Sequence, residues 1–222
     1  MIQPMTPSLP ETLRLTWCGR QMVILSMASG ADRAPGPDRP QLRRRAGGRL
    51  LTAAQRELGL PVLPVERDRF GGPLWPRGQR GSFSHWNGTS LCLLSPDDDF
   101  DWGVDLEGHA GADALAAICG EAVSSAERAL LRGDLPRQAA LVFSAKESVY
   151  KAARPQVGHL FGFDALRLLA EPGTGTLRFE LTRDLSPGLA AGRAVAVGYR
   201  HFAGSVLTWT ALHSPAAISA ES

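Results

Sequence analysis

With 222 residues, 44% of them hydrophobic and 21% charged, the chain is long enough for one large domain or two small ones and has ordinary globular composition. A net charge of +2 gives no ground for nucleic-acid or membrane binding, and no apolar run approaches the ~20 residues of a membrane-spanning helix. Cys18, Cys92 and Cys119 fit neither a disulfide framework nor a Cys-x-x-Cys pattern, so each reads as a small buried hydrophobe in a reduced, cytoplasmic protein with no secretory leader.

Taken in order, residues 1–16 carry prolines and threonines and read as partly disordered. Residues 22–28 form a buried strand, and 29–40, with three prolines, a loop. Residues 41–58 predict a helix whose apolar positions are Leu42, Ala46, Leu50, Ala53, Ala54 and Leu58. Arg43, Arg44, Arg45, Arg49 and Arg56 crowd its remaining surface, either as a solvated face or as an anion site beside Gly47-Gly48. Residues 59–80 wander through prolines and glycines. A strand at 81–85 then turns at Asn87-Gly88, which supplies positive φ, into a returning strand at 90–95. Asp97, Asp98, Asp99 and Asp101 form a solvated acidic loop.

Residues 103–107 (Gly-Val-Asp-Leu-Glu) alternate as a strand, with Asp105 and Glu107 on one face about 7 Å apart. Two carboxylates so placed are either a solvated acidic face or ligands of a hard cation such as Mg²⁺. Helices follow at 111–120, at 124–132 with a Ser124-x-x-Glu127 capping box, and at 141–153. Strands near 164–170, 176–183, 193–202 and 205–213 close the chain, and 214–222 fray. Each half of the chain thus holds helices and an antiparallel sheet.

Lysine occurs only at 146 and 151 among 24 basic residues, so both lysines fall on one helix. There, Ala145, Val149 and Ala152 form the buried stripe. Ser144 with Glu147 fits a capping box, and Glu147 with Lys151 a surface ion pair. Neither account explains why the lysines cluster; an ammonium suits phosphate oxygens, and Glu147 suits a third metal ligand or a base. His85, at a strand end, is structural or faces a cleft.

In this order, residues 81–85 (Gly-Ser-Phe-Ser-His), 103–107 and 143–151 (Phe-Ser-Ala-Lys-Glu-Ser-Val-Tyr-Lys) resemble the 4′-phosphopantetheinyl transferases of the surfactin and enterobactin type. Pro73-Leu74-Trp75-Pro76 ahead of them is closest to the enterobactin branch. The resemblance covers roughly residues 43–165. It implies an α+β fold of two pseudo-symmetric halves, 1–102 and 103–222, each a small antiparallel sheet packed with helices, with the active site at their interface. It implies coenzyme A as donor, an acyl- or peptidyl-carrier protein as acceptor, 3′,5′-ADP as leaving group, and a cytoplasmic monomer.

Carried over residue by residue, the resemblance implies Asp105, Glu107 and Glu147 as Mg²⁺ ligands, with Glu147 also as base and Lys151 as the catalytic cation. It implies Arg44, Arg45, Arg49, Ser84, His85, Asp105, Lys146 and Lys151 around coenzyme A, with Phe70, Gly71, Gly72 and Pro73 lining the nucleotide. The turn at 71–73 holds no basic residue of its own; Arg69 and Arg77 are its nearest sequence neighbours. Other readings are a coenzyme A- or carrier-binding module without turnover, a Mg²⁺-dependent nucleotide phosphohydrolase, and nucleic-acid binding through the arginine helix.

Overall fold

The computed structural model describes residues 9–29, 39–109 and 111–214. Most of the loop expected at 29–40, residues 1–8, and the tail beyond Ser214 lie outside them. The first sheet begins where disorder was expected. Strand β1 (Thr12–Trp17) alternates exposed and half-buried residues and pairs with β2 (Arg20–Ala28). The turn between them is Cys18-Gly19, both at positive φ (51° and 73°). Cys18 is therefore exposed, against expectation, while Cys92 is buried and Cys119 intermediate; all three are free.

Helix α1 (Arg39–Glu57) starts two residues before the expected bound and buries Ala46, Leu50, Leu51, Ala54 and Gln55. Ala53, read as part of the stripe, is exposed. Within the proline- and glycine-rich stretch a minimal hairpin forms, β3 (Glu66–Arg67) with β4 (Pro73–Leu74). Strands β5 (Arg80–Trp86) and β6 (Thr89–Ser95) follow, turning at Asn87-Gly88 with φ of 44° and 73°, as the dipeptide predicts. The first sheet has the order β1-β2-β6-β5.

The acidic loop is not simply solvated. Asp98 pairs with Arg80 at 2.7 Å and accepts from the Gly78 amide, Asp99 pairs with Arg20, and Asp101 is buried. Strand β7 (Phe100–Gly108) then opens the second sheet, so the boundary expected at 102 falls inside this strand. After α2 (Ala112–Glu121), α3 (Ser125–Arg128) and α4 (Leu135–Val157) come β8 (Leu166–Leu168), β9 (Thr176–Leu181), β10 (Ala194–Phe202) and β11 (Ser205–His213), in the order β7-β11-β10-β9-β8.

The two sheets pack face to face. Met22, Ile24, Leu91 and Leu93 of the first meet Trp102, Val104, Leu106, Leu207 and Trp209 of the second. Helix α1 covers the outer face of the first sheet, and α4 that of the second. This gives helix, sheet, sheet, helix: an α+β fold of two antiparallel sheets, each backed by a helix. Strands β5 and β7 are edge strands of their own sheets, and they lie beside each other.

Helix α4 runs 23 residues, far beyond 141–153. Asp134 caps it, Pro136 sits in the first turn where its missing N–H is harmless, and Gly158 at φ 71° ends it. Ser144 is mid-helix and caps nothing. The helix presses onto β7 at Gly103, where a Cβ would stand 1.8 Å from the Ser148 carbonyl oxygen. Only a residue without a side chain lets the helix settle this deep.

The capping box at Ser124 and Glu127 forms as expected, yet Glu127 has a second role. It is 3% exposed and receives Lys146 Nζ at 2.8 Å and the Leu168 amide at 2.8 Å. Burial lowers the Lys146 pKa. Burial alone would raise Glu127, but its donors hold it below the ordinary range. Removing one partner of a buried pair strands the other charge. Lys146→Met is expected to cost about 3–5 kcal/mol in urea denaturation, and adding Glu127→Gln to recover part of it. A loss under about 1 kcal/mol would show the pair to be structurally idle.

Candidate functional site

A cleft of about 1310 Å³ opens where the edge strands meet. Its walls are α1, the β3–β4 hairpin, the end of β5 and one face of α4. Helix α4 contributes Glu147, Tyr150, Lys151 and Arg154, spaced i, i+3, i+4 and i+7 on one face. Helix α1 contributes Arg43, Arg44, Gly47 and Gly48, and the hairpin loop Asp68, Phe70, Gly71, Gly72 and Pro73. Ser84 and the exposed His85 come from β5.

Behind the cleft, a buried polar network ties four elements together. Asp105 of β7 is 6% exposed. Its Oδ1 accepts from Lys151 Nζ at 2.7 Å and from Ser84 Oγ at 2.8 Å, and its Oδ2 accepts from Ser144 Oγ at 2.9 Å. Lys151 also donates to Ser84 Oγ at 3.2 Å and to the Val104 carbonyl at 3.1 Å. Ser84 Oγ in turn accepts from the Leu106 amide at 3.3 Å. Thr208 of β11, directly opposite Asp105 in register, shares hydroxyl contacts with Ser144 at 3.0 Å and Ser148 at 2.7 Å.

Glu107 sits two residues along the same strand. Burial, then the charge of Asp105, push its carboxyl up to about 7. Burial also raises Glu147, with Asp105 adding to it and Lys151 opposing. These carboxylates feel one another, but among the described residues no three acidic, histidine or cysteine side chains are set closely enough to hold a metal ion. The expected convergence of Asp105, Glu107 and Glu147 on one cation is thus not drawn together here. The ammonium of Lys151 stands against Asp105 instead. The surface pair read between Glu147 and Lys151 is replaced by this buried one.

The structure gathers Arg44, Phe70, Gly71, Gly72, Pro73, Ser84, His85, Glu147 and Lys151 on the cleft, with Asp105 directly behind. It does not bring Lys146, Arg45 or Arg49 there. Lys146 points into the second core, and Arg45 and Arg49 are exposed on α1 away from the cleft wall. Five residues of helix turn a side chain by about 140°, so Lys146 cannot face with Lys151, nor Arg49 with Arg44. Sequence reasoning missed Ser144, Thr208, Asp68 and Arg154. The helical spacing of Ser144, Ser148 and Lys151, and of Glu147 and Arg154, carried that signal.

The sequence model of the 4′-phosphopantetheinyl transferase superfamily matches residues 101–196. Over 179 residues the chain is 35% identical to the 4′-phosphopantetheinyl transferase Svp of Streptomyces mobaraensis, covering 77% of this chain and 71% of that one. Enterobactin synthase component D of Salmonella typhi is 32% identical over 164 residues, 72% of this chain and 66% of its own, just under two thirds. The 4′-phosphopantetheinyl transferase PptT of Mycobacterium tuberculosis is 35% identical over 124 residues, 52% of each chain.

Glu107 gives a pH signature. Its carboxyl titrates at about 7 when folded against an ordinary 4.5, so the folded state holds the extra proton in that window and loses stability as pH rises through it. Glu147 acts with the same sign, while His109 and His201, lowered by burial, act with the opposite sign in acid. The expected readout is therefore a difference. In EDTA, the melting temperature of Glu107→Gln should exceed wild type by a margin that widens from about pH 5 to about pH 8. A constant margin would mean that Glu107 ionises normally.

Proposed function

Because the chain belongs to the 4′-phosphopantetheinyl transferase superfamily, we propose that it moves the 4′-phosphopantetheine group of coenzyme A onto a serine hydroxyl of an acyl- or peptidyl-carrier protein, releasing 3′,5′-ADP with Mg²⁺ present. One observation carries the reading: Asp105, Lys151 and Ser84 are bonded to one another where β5, β7 and α4 join, with Glu147 on the adjoining wall of a cleft rimmed by arginines. Residues 1–102 then supply the nucleotide side, and residues 103–222 the side where the bond changes hands.

In this reading the serine oxygen of the carrier forms a bond to the β-phosphorus of coenzyme A. The bond from that phosphorus to the bridging oxygen breaks, and the electron pair leaves with 3′,5′-ADP. Glu147 takes the serine proton, directly or through a water it orients. Its raised pKa brings it nearer to the range of an effective base. Lys151 holds Asp105 in place and keeps positive charge next to the diphosphate. His85 and Arg44, with Arg43 beside it in place of Arg45 and Arg49, hold nucleotide phosphates. Ser84, Phe70 and the turn at 71–73 line the nucleotide.

The three carboxylates are hard oxygen donors of the kind Mg²⁺ takes, and two of them are raised by burial and by the charge of Asp105, although they are not grouped closely enough here to form a closed site. Asp105, Glu107 and Glu147 would hold Mg²⁺, which when bound neutralises charge on the diphosphate oxygens. A carboxylate set short of positive charge is what such an ion relieves.

Incubation with coenzyme A, Mg²⁺ and an apo-carrier is expected to add ~340 Da to the carrier serine, the mass of the group transferred in such a displacement at phosphorus. EDTA should stop the reaction and added Mg²⁺ restore it. Glu147→Gln should slow transfer by about 10²–10⁴-fold with no loss of melting temperature. Transfer by that variant at the wild-type rate would remove Glu147 from the mechanism. Breakdown of coenzyme A without any carrier would point to hydrolysis instead.

A further inference from the structure

Lys151 has three N–H bonds, and all three are made to protein acceptors. The other α4 cation on the cleft, Arg154, is differently placed. It lies one turn beyond Lys151, about 4.5 Å along the helix axis. Its guanidinium reaches across to the hairpin, with Nη2 at 3.3 and 3.5 Å from the Asp68 carboxylate oxygens. The side chains are 24% and 33% exposed.

This pairing is loose. A charge-assisted bond normally closes to about 2.7–2.9 Å. Asp68 has less need of the guanidinium, because its Oδ1 already accepts from the Phe70 and Gly72 amides, both at 2.8 Å. The guanidinium lies over bare backbone: a Cβ on Gly72 would stand 2.3 Å from Arg154 Nη1. Among the described residues, the hydrogen bonds of Arg154 run through Nη2 alone. Its remaining N–H groups form a planar fork suited to phosphate oxygens. The turn at 71–73 has no cation of its own; Arg67 donates to the Gly71 carbonyl at 2.6 Å, and Arg154 stands over Gly72.

We propose that Arg154 is a phosphate-binding residue of the cleft, held loosely by Asp68 and transferred to a phosphate of the donor when it binds. This rests on reading the cleft as the coenzyme A site.

Calorimetric titration of coenzyme A, 3′-dephospho-coenzyme A and pantetheine tests it. Arg154→Ala should weaken coenzyme A binding by about ten- to hundredfold, as expected for losing a hydrogen bond to a charged group, and leave pantetheine unchanged. Arg154→Lys, which also serves if the alanine variant fails to fold, should fall between. Asp68→Asn should bind as well as wild type or better, since an Asn oxygen keeps both amide bonds and releases the guanidinium. Weakening with coenzyme A alone assigns the 3′-phosphate; weakening with both nucleotides assigns the diphosphate; either supports the proposal. Unchanged affinity in both Arg154 variants overturns it, as does equal weakening by Asp68→Asn, which makes the pair a purely structural bridge. Wild-type protein that binds no coenzyme A overturns the reading of the cleft as well.

Discussion

The ion pair between Lys151 and Asp105 holds the site together. At 2.7 Å, with Asp105 almost sealed from solvent, it is a pair whose partners are each also hydrogen-bonded to neutral groups. A buried charge is tolerable only when so surrounded. Ser84 completes it by accepting from the ammonium and donating to the carboxylate, so one hydroxyl binds both charges. Ser84 belongs to the first sheet, Asp105 to the second, and Lys151 to the helix behind the second. The three side chains join the halves of the molecule at the point where the cleft opens.

That location follows from the sheet order. An edge strand offers unpaired backbone groups that must find partners. Here β5 and β7 are edges of different sheets, and the Leu106 amide turns to Ser84 Oγ rather than to a neighbouring strand. Inside, Val104 and Leu106 are sealed into the core between the sheets, so the alternate residues of β7 must face α4. Gly103, Asp105 and Glu107 are those residues. The alternation that builds the core therefore also places two carboxylates against the helix that carries Glu147 and Lys151. The raised Glu107 and Glu147 are the electrostatic result of that crowding.

Much of this was legible in the sequence because its signals are local. The alternation around Ser84, the Asn87-Gly88 turn and the alternation of residues 103–107 each determine a strand within a few residues. What escaped reading lacked so clear a local signal. Strand β1 is held by its hairpin partner β2 and by the core between the sheets, and its turn, Cys18-Gly19, is a weaker signal than Asn-Gly. The two-residue strands of the β3–β4 hairpin lie in a stretch whose prolines and glycines suggest only loop. Lys146 is expected beside Lys151 because the two are close in sequence, yet it lies buried against Glu127. Rotation about the helix separates them, and only the distant Glu127 explains a lysine in that core. Arg45 and Arg49 follow the same geometry on α1.

Gly103 carries no charge and touches no ligand, yet the spacing of every charged group on α4 is referred to it. The helix rests on its bare α-carbon much as a lever rests on a fulcrum. A single methyl there, 1.8 Å from the Ser148 carbonyl oxygen, would push the helix off by roughly an ångström or more and lift Ser144 and Lys151 together from Asp105, with no polar atom replaced. The tuning of the acids is thus governed from the dry side of the helix, by a missing carbon.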